Sequence, residues 1–412
     1  MTQAGDAPIA VGWRIVAFRV FRNAYLTYAV WMAFFIHYGM TVEQFFWLDA
    51  IFFGAKFVFD LPTGYLADRI GRKRCLAVGC VAAAASHAAM LVHPGFWTFA
   101  TALVALGAAQ SSVNGADAAL LYQNLARRGE LAEYPRWESL SRAAGSLSFA
   151  IAPLVGGWLH ATGGYAAVWL GTAVAMLLGA IVLFRVDDRA SRAPGDGMVQ
   201  MWRALRSVLP QLMFLLLLFG LFLSIVRFGF LAQQWLLIQH GVDSAIKGWL
   251  MAADLGIGAV ASLGIRRALA TLSRAAIYKL LGLAITTLAL LAVAAAAGSD
   301  WRLPLGAAIL AHGLLYGSFV PMLTSEVCRV APDSVRATAV SVVTCGGSIA
   351  WAILSPVAGT VLQREGTPAG MGILAGVLSA LVVILAVLHR CRREPTKIIN
   401  NQVDSAAGDA HG

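Results

Sequence analysis

Asp60-Leu61-Pro62-Thr63-Gly64-Tyr65-Leu66-Ala67-Asp68-Arg69-Ile70-Gly71-Arg72-Lys73-Arg74 is the stretch that decides the reading of this chain. It lies between two long apolar runs and packs four cations and two glycines into one short segment. A chain that crosses a bilayer needs short basic turns on the cytoplasmic side, where cations are retained. Gly64 would let one helix approach a neighbour closely, and Gly71 permits a tight turn into the next helix. Asp68 can accept charge-assisted hydrogen bonds from nearby arginines or from a helix N-terminus. Arg69, Arg72, Lys73 and Arg74 can bind headgroups and carboxylates at helix ends.

The rest of the chain agrees with a lipid solvent. Its 412 residues are 59% hydrophobic and 13% charged, against roughly 25% charged in a soluble domain. Such a chain cannot cover itself with polar surface. The net charge of +10 falls in short clusters between apolar runs, not along one face. That placement fits anionic headgroups and argues against a nucleic-acid partner. Cys75, Cys80, Cys328, Cys345 and Cys391 form no CxxC or Cys/His ligand pattern, so neither a metal site, a disulfide framework nor a cofactor is expected. The first ten residues lack the basic start of a cleavable signal, so the first apolar run is read as a retained span.

A spanning helix needs about 20 apolar residues, and twelve are expected. Six lie near 15–38, 43–66, 74–93, 95–122, 139–160 and 164–184, making an N-terminal bundle over 1–184. A polar stretch around Ser191-Arg192-Ala193-Pro194-Gly195-Asp196-Gly197 marks a cytoplasmic linker, 185–207. Six more, near 208–238, 244–265, 275–298, 302–327, 337–362 and 368–389, make a C-terminal bundle over 208–390. The polar residues 391–412 are expected to be a disordered cytoplasmic tail. The fold class is therefore all-α and integral to the membrane, with both termini cytoplasmic in an inner membrane.

Charge supports this layout. Of the 31 lysines and arginines, 26 fall on the proposed cytoplasmic side, and only Lys247, Arg302 and Arg364 lie in the opposite loops. An internal echo supports two halves. Ala152-Pro153-Leu154-Val155-Gly156-Gly157-Trp158-Leu159 in span 5 matches Ser355-Pro356-Val357-Ala358-Gly359-Thr360-Val361-Leu362 in span 11, at an offset of 203 residues. The same offset lays Leu66-Ala67 on Leu269-Ala270. Halves repeated in parallel are related by an axis along the membrane normal.

The order Gly64, Leu66, Asp68, Arg69, Gly71, Arg72, Lys73, Arg74 resembles the loop between helices 2 and 3 of the major facilitator superfamily of transporters. The resemblance implies a latch between the two halves on the cytoplasmic side, released during alternating access, and a chain that works as a monomer. It implies that helices 3, 6, 9 and 12 face lipid while the others line a central cavity. Drug-exporting members often carry a glycine-rich pattern in span 5. Here Ala144, Ser148, Ala152, Pro153, Gly156 and Gly157 keep the small-residue spacing but replace some of its glycines. Such exporters also often carry an arginine partway along span 4, and Leu103 to Ser112 has none. Asp60 before Pro-Thr-Gly, with Gly115-Ala116-Asp117-Ala118-Ala119-Leu120-Leu121-Tyr122-Gln123-Asn124-Leu125, resembles one bacterial branch of the superfamily.

An ionisable side chain deep in a span costs roughly 2.5–3.5 kcal/mol on insertion scales, so the helices that accept one are informative. Asp49, Lys56 and Asp60 share one face of span 2. Lys56 can pair with either acid, as a structural stripe or as a substrate or coupling group. Asp60 and Asp117 are expected in a cytoplasmic gate with Arg142 or Arg69. Arg227 in span 7 and Asp254 in span 8 are expected to meet; alternatively Arg227 binds an anionic substrate while Asp254 carries a proton. Arg22 starts the inner part of span 1, as an interfacial anchor or a substrate group. Asn114, Gln233 and Gln234 can hydrogen-bond a substrate, and His312 in span 10 can titrate near neutral pH. Trp31, Trp47, Trp235 and Trp249 are expected in the interfacial belt.

These readings point to a secondary transporter that moves a small organic molecule by alternating access, with proton-coupled efflux of a drug-like or metabolic compound as the first choice. Proton-coupled uptake is the alternative, and the arginine-free span 4 favours it. A non-transporting sensor built on the same fold is a further reading, against which the embedded Lys56, Arg227 and Asp254 argue, and a membrane enzyme acting on lipid would need a nucleophile, base or metal cluster near one interface. The chain has no Walker A, HExxH or GxSxG motif, so it is not read as an enzyme or as driven directly by ATP.

Overall fold

The computed structural model describes residues 8–113, 116–186, 197–268, 274–331 and 336–408. Within these, side chains are described except at 8–10, 61–62, 64–69, 197–205, 207–211, 265–268, 274–277, 336–338 and 388–408. Twelve α-helices carry the described chain, with no strand among those residues. They are α1 (Pro8–Arg22), α2 (Trp31–His37), α3 (Val42–Ile70), α4 (Arg72–Val92), α5 (Phe96–Ser111) and α6 (Ala116–Arg127). The remainder are α7 (Tyr134–Phe184), α8 (Gly197–Gln239), α9 (Ser244–Ala268), α10 (Arg274–Ala296), α11 (Arg302–Val330) and α12 (Arg336–Gly408).

Helices and membrane passes do not correspond one to one. Eight helical stretches among the described residues are long and apolar enough to cross a bilayer. Two of them hold two passes each. Inside α7 only Gly164 (φ 67°) leaves helical geometry, and inside α12 only Gly366 (φ 75°) does. A Cβ at Gly171 would lie 3.2 Å from the Leu159 side chain. Twelve residues of straight helix would separate these positions by about 18 Å, so the chain doubles back at Gly164. Likewise a Cβ at Gly370 would lie 3.1 Å from the Leu362 backbone. α3 has the length of a pass, with 29 residues, but carries Asp49, Lys56 and Asp60 in its course. The first pass is broken into α1 and α2.

Those breaks correct the expected spans. Span 1 is interrupted after Arg22: Tyr25 N–H donates to Asn23 O and Leu26 N–H to Ala24 O, and a 3-10 turn covers Leu26–Val30. Span 4 is likewise broken after Ser111 and resumes as α6. The expected linker is shorter on its second side, because α8 is already helical at Gly197. The expected disordered tail is helical as far as Gly408.

The basic turn behaves as its sequence dictates. α3 starts with a capping box, Thr41 Oγ1 accepting from Gln44 N–H and Gln44 Oε1 from Thr41 N–H. It ends at Ile70, and Gly71 takes φ 97° to start α4, a region that L side chains avoid. Lys73 Nζ donates to Phe184 O at the end of α7 (2.8 Å), where the helix dipole favours a cation. The end of the molecule that carries this turn is called the basic end below, and the opposite one the far end.

Helices α1 to α7 pack among themselves, as do α8 to α12. The two groups meet mainly where α3 packs on α12 and α7 on α9. Outward-facing apolar side chains such as Trp97, Trp158, Val260, Leu263, Leu303 and Ile353 are more than half exposed. In water such a surface would be costly at about 25 cal/mol per Å²; in lipid it costs nothing.

Candidate functional site

Asp49 of span 2 finds its partners outside its own helix. The Asp49 carboxylate, fully buried, bonds Arg227 of α8 at 2.6 Å through Nη2 and 3.2 Å through Nε. Trp351 of α12 donates its indole N–H to the same carboxylate (2.6 Å). The Arg227 guanidinium lies 5.2 Å from both the Phe53 and Phe230 ring centroids, which adds cation–π attraction. This ion pair joins the two halves. Further bonds along α3 and α12 extend it. Thr360 donates to Glu43 (2.8 Å) and Ser355 to Phe46 O (2.8 Å) toward the far end, and the Cys345 thiol donates to Asp60 toward the basic end.

The expected Arg227–Asp254 pair does not form. Asp254 instead faces His312 of α11, whose Nδ1 lies 2.8 and 3.0 Å from the two carboxylate oxygens. The other ring nitrogen, Nε2, lies 2.9 Å from Val226 O. The reason is the rotational setting of α8. Its Val226 carbonyl and Gly229 face α11, and a Cβ at Gly229 would lie 2.7 Å from the imidazole. Arg227, about 100° further round the helix, therefore points toward α3. α8 is apolar on every side of Arg227, so no sequence periodicity could fix that rotation.

A neutral imidazole has a single N–H. Here both ring nitrogens face acceptors. An imidazolium would satisfy both, whereas a neutral ring sets one lone pair against an acceptor in a site only 2–3% exposed.

Lys56, expected to pair with Asp49 or Asp60, has no ion-pair partner among the described residues. Its Nζ lies 6.0 Å from the Phe53 ring centroid, on the α3 face that turns toward α12. Arg22 ends α1. It lies 5.6 Å from the Tyr25 ring and 3.4 Å from Asn23 Oδ1, with no carboxylate in reach among the described residues. Gln234 ties α8 to the first pass, accepting from Met32 N–H (3.0 Å) and donating to Tyr28 O (3.1 Å). Gln233 is buried with both amide atoms unpartnered. Asn114 lies outside the described residues.

At the basic end the expected gate has another centre. Asp117 bonds Arg19 (2.7 Å), not Arg142. Arg19 is buried and also holds Glu138 (3.0 Å) and the Ser141 hydroxyl (2.6 Å). Arg142 joins only through Glu138 (2.5 Å), one turn away on α7. The side chains of Asp68 and Arg69 and the surroundings of Gly64 lie outside what is described. Trp47 and Trp249 are exposed as a belt requires. Trp31 and Trp235 correct the expectation: Trp31 lies parallel to Trp169 at 6.3 Å, and Trp235 donates to Thr367 (2.9 Å).

Sequence reasoning missed Arg19, Glu138, Trp351, Tyr28 and Tyr316. In sequence Arg19 is one more cation of the cytoplasmic side, although its place three residues before Arg22 puts it inside α1, not in a turn. The two tyrosines lie within electrostatic reach of Asp254, and Tyr28 also of Asp49 and Arg227. They join the two polar clusters into one central region built by α3, α8, α9, α11 and the first pass.

The chain matches the family model described as Major Facilitator Superfamily over residues 15–282. Its fold is similar to that of a crystallised mutant of the nucleoside transporter NupG: TM-score 0.78, 13% identity, covering 94% of this chain and 100% of that one. A peptide transporter POT in complex with sulfate follows at TM-score 0.71 and 15% identity, covering 92% and 94%. A D-xylose-proton symporter gives 0.68 and 13%, covering 92% and 96%. No curated protein matches the sequence.

Proposed function

The chain belongs to the major facilitator superfamily, and from that premise we propose that it is a proton-coupled exporter of a small organic molecule. It works as a monomer in an inner membrane with both termini cytoplasmic, so the basic end faces the cytoplasm. The halves 1–184 and 208–390 rock about their interface by alternating access. The observation that carries the coupling is His312 between Asp254 and Val226 O. Such a site binds or releases one proton in a region that the substrate path adjoins through Tyr28 and Tyr316.

In this reading the bonds of Asp49, Glu43 and Gln234 across the halves keep the far end shut. The turn at Asp68 to Arg74, with the Arg19–Asp117–Glu138–Arg142 cluster, latches the basic end in the alternate state. Export follows from the small-residue face of span 5. Uptake by symport is the second reading, favoured by the absence of arginine from Leu103 to Ser112.

Proteoliposomes separate the two. The probes are a panel of radiolabelled aromatic acids, amines and zwitterions. An acidic interior drives accumulation by an antiporter, because outgoing protons exchange for substrate. An acidic exterior drives accumulation by a symporter. Export is supported by gradient-dependent uptake with an acidic interior that Asp254→Asn abolishes. Uptake indifferent to either gradient would remove proton coupling, and uptake driven only by an acidic exterior would replace export by symport.

A further inference from the structure

We propose that Arg22 and Lys56 form the anion-binding pole of the substrate site, and that the substrate is a monovalent organic acid with an aromatic body. This inference rests on the transporter reading and names the class of molecule it moves.

The charges around Lys56 do not balance. Lys56 is within electrostatic reach of Arg22, Arg227, Asp60 and Cys345. Asp49 neutralises Arg227 through a direct ion pair. Asp60 offsets one of the other two cations. Three cations thus face two carboxylates, and one positive charge is left over among the described residues. The neighbouring clusters do not absorb it. His312 and Asp254 balance each other, as do Arg19 and Arg142 with Asp117 and Glu138. An uncompensated charge at mid-membrane is costly and marks function. One bound monoanion cancels it.

Position and surroundings select the body of that anion. Lys56 lies midway along α3, on the same face as Asp49 and Asp60, and so at the junction of the two halves. The Phe53 ring has Lys56 Nζ at 6.0 Å and the Arg227 guanidinium at 5.2 Å. The Tyr25 ring lies 5.6 Å from Arg22, and Tyr28 stacks on Phe230 at 4.2 Å. Such rings offer faces and edges on which a flat apolar body can stack. Gln110 of α5 borders the same small cavity as Arg22 and Tyr25, and its amide can donate to a carboxylate.

A cationic substrate is the competing class, since it could take Arg227's place on Asp49. The pair disfavours it. Asp49 is already satisfied by Arg227 and Trp351, so an incoming cation would leave Arg227 buried and unpaired, next to a Lys56 that already lacks a partner.

Binding to the purified full-length protein in nanodiscs tests this apart from flux and proton coupling. The probes are benzoate, phenylacetate and indole-3-acetate, with benzyl alcohol and benzylamine as neutral and cationic counterparts. At least one of the acids should bind by calorimetry, and the alcohol and amine should not. Lys56→Met and Arg22→Gln should each weaken the acid roughly tenfold or more, while Lys56→Arg should restore most of the affinity. Binding of benzylamine alone, no binding of any acid, or acid binding unchanged in Lys56→Met would overturn the proposal. Acid binding without gradient-driven flux would instead fault the transporter reading and leave the site standing.

Discussion

The two contacts between the halves are built from equivalent sequence and yet differ in kind. The offset of 203 residues lays Gly156 on Gly359 and Gly157 on Thr360. On one side, a Cβ at Gly157 would strike the Ser244 carbonyl oxygen and lie 3.0 Å from the Gly248 backbone. Here α7 and α9 meet backbone to backbone, and no side-chain hydrogen bond crosses among the described residues. On the other side, Gly359 lets α12 approach Glu43 as closely (3.1 Å from its Cα). Yet Thr360, Ser355, Trp351 and Cys345 then add four polar bonds to α3. Small residues bring both pairs of helices together, but only the α3–α12 pair carries groups that can be exchanged for a ligand or a proton. One contact is a fitted surface; the other is a switch.

The sharpest way to break the comparison is to remove the charge from the switch. Asp49→Ala leaves Arg227 buried without a partner and should cost about 3–5 kcal/mol, read as a lower unfolding midpoint in detergent. The double variant Asp49→Ala/Arg227→Met should recover much of that loss. Trp351→Phe keeps the ring but deletes the N–H on Asp49, for about 1.5–3 kcal/mol. On the fitted side, Gly157→Ala should cost about 1–3 kcal/mol by overpacking, because the neighbouring atoms are backbone and cannot turn aside. It should not alter ligand affinity. Thr360→Val, which deletes a single partly buried bond to Glu43, should cost only about 1 kcal/mol. A Gly157→Ala variant that loses ligand binding while Asp49→Ala keeps it would reverse the assignment of the two contacts.

Much of this division was legible in the sequence. The basic turn, its glycine and the apolar runs announce a many-pass membrane protein, and the span 5 and span 11 echo marks the two contact surfaces. Pairing was not legible. Asp49 and Lys56 share a face seven residues apart, which suggests an internal pair. Neither residue can report that Arg227 of another half outcompetes Lys56. Arg227 and Asp254 lie on neighbouring passes, but the apolar residues on every side of Arg227 in α8 hide which way it turns. The breaks after Arg22 and Ser111 escaped because hydropathy averages over them.

Distance across the far end tests the central claim, that the Asp49–Arg227 pair is what holds that end shut. Spin labels on Trp97→Cys and Leu303→Cys, far-end positions of opposite halves and both outward-facing, report it by double electron–electron resonance in a background with the native cysteines replaced. The account predicts one distance in the parent protein, a second and longer population in Asp49→Asn, and no such population in Thr360→Val. An unchanged distribution in Asp49→Asn would contradict it.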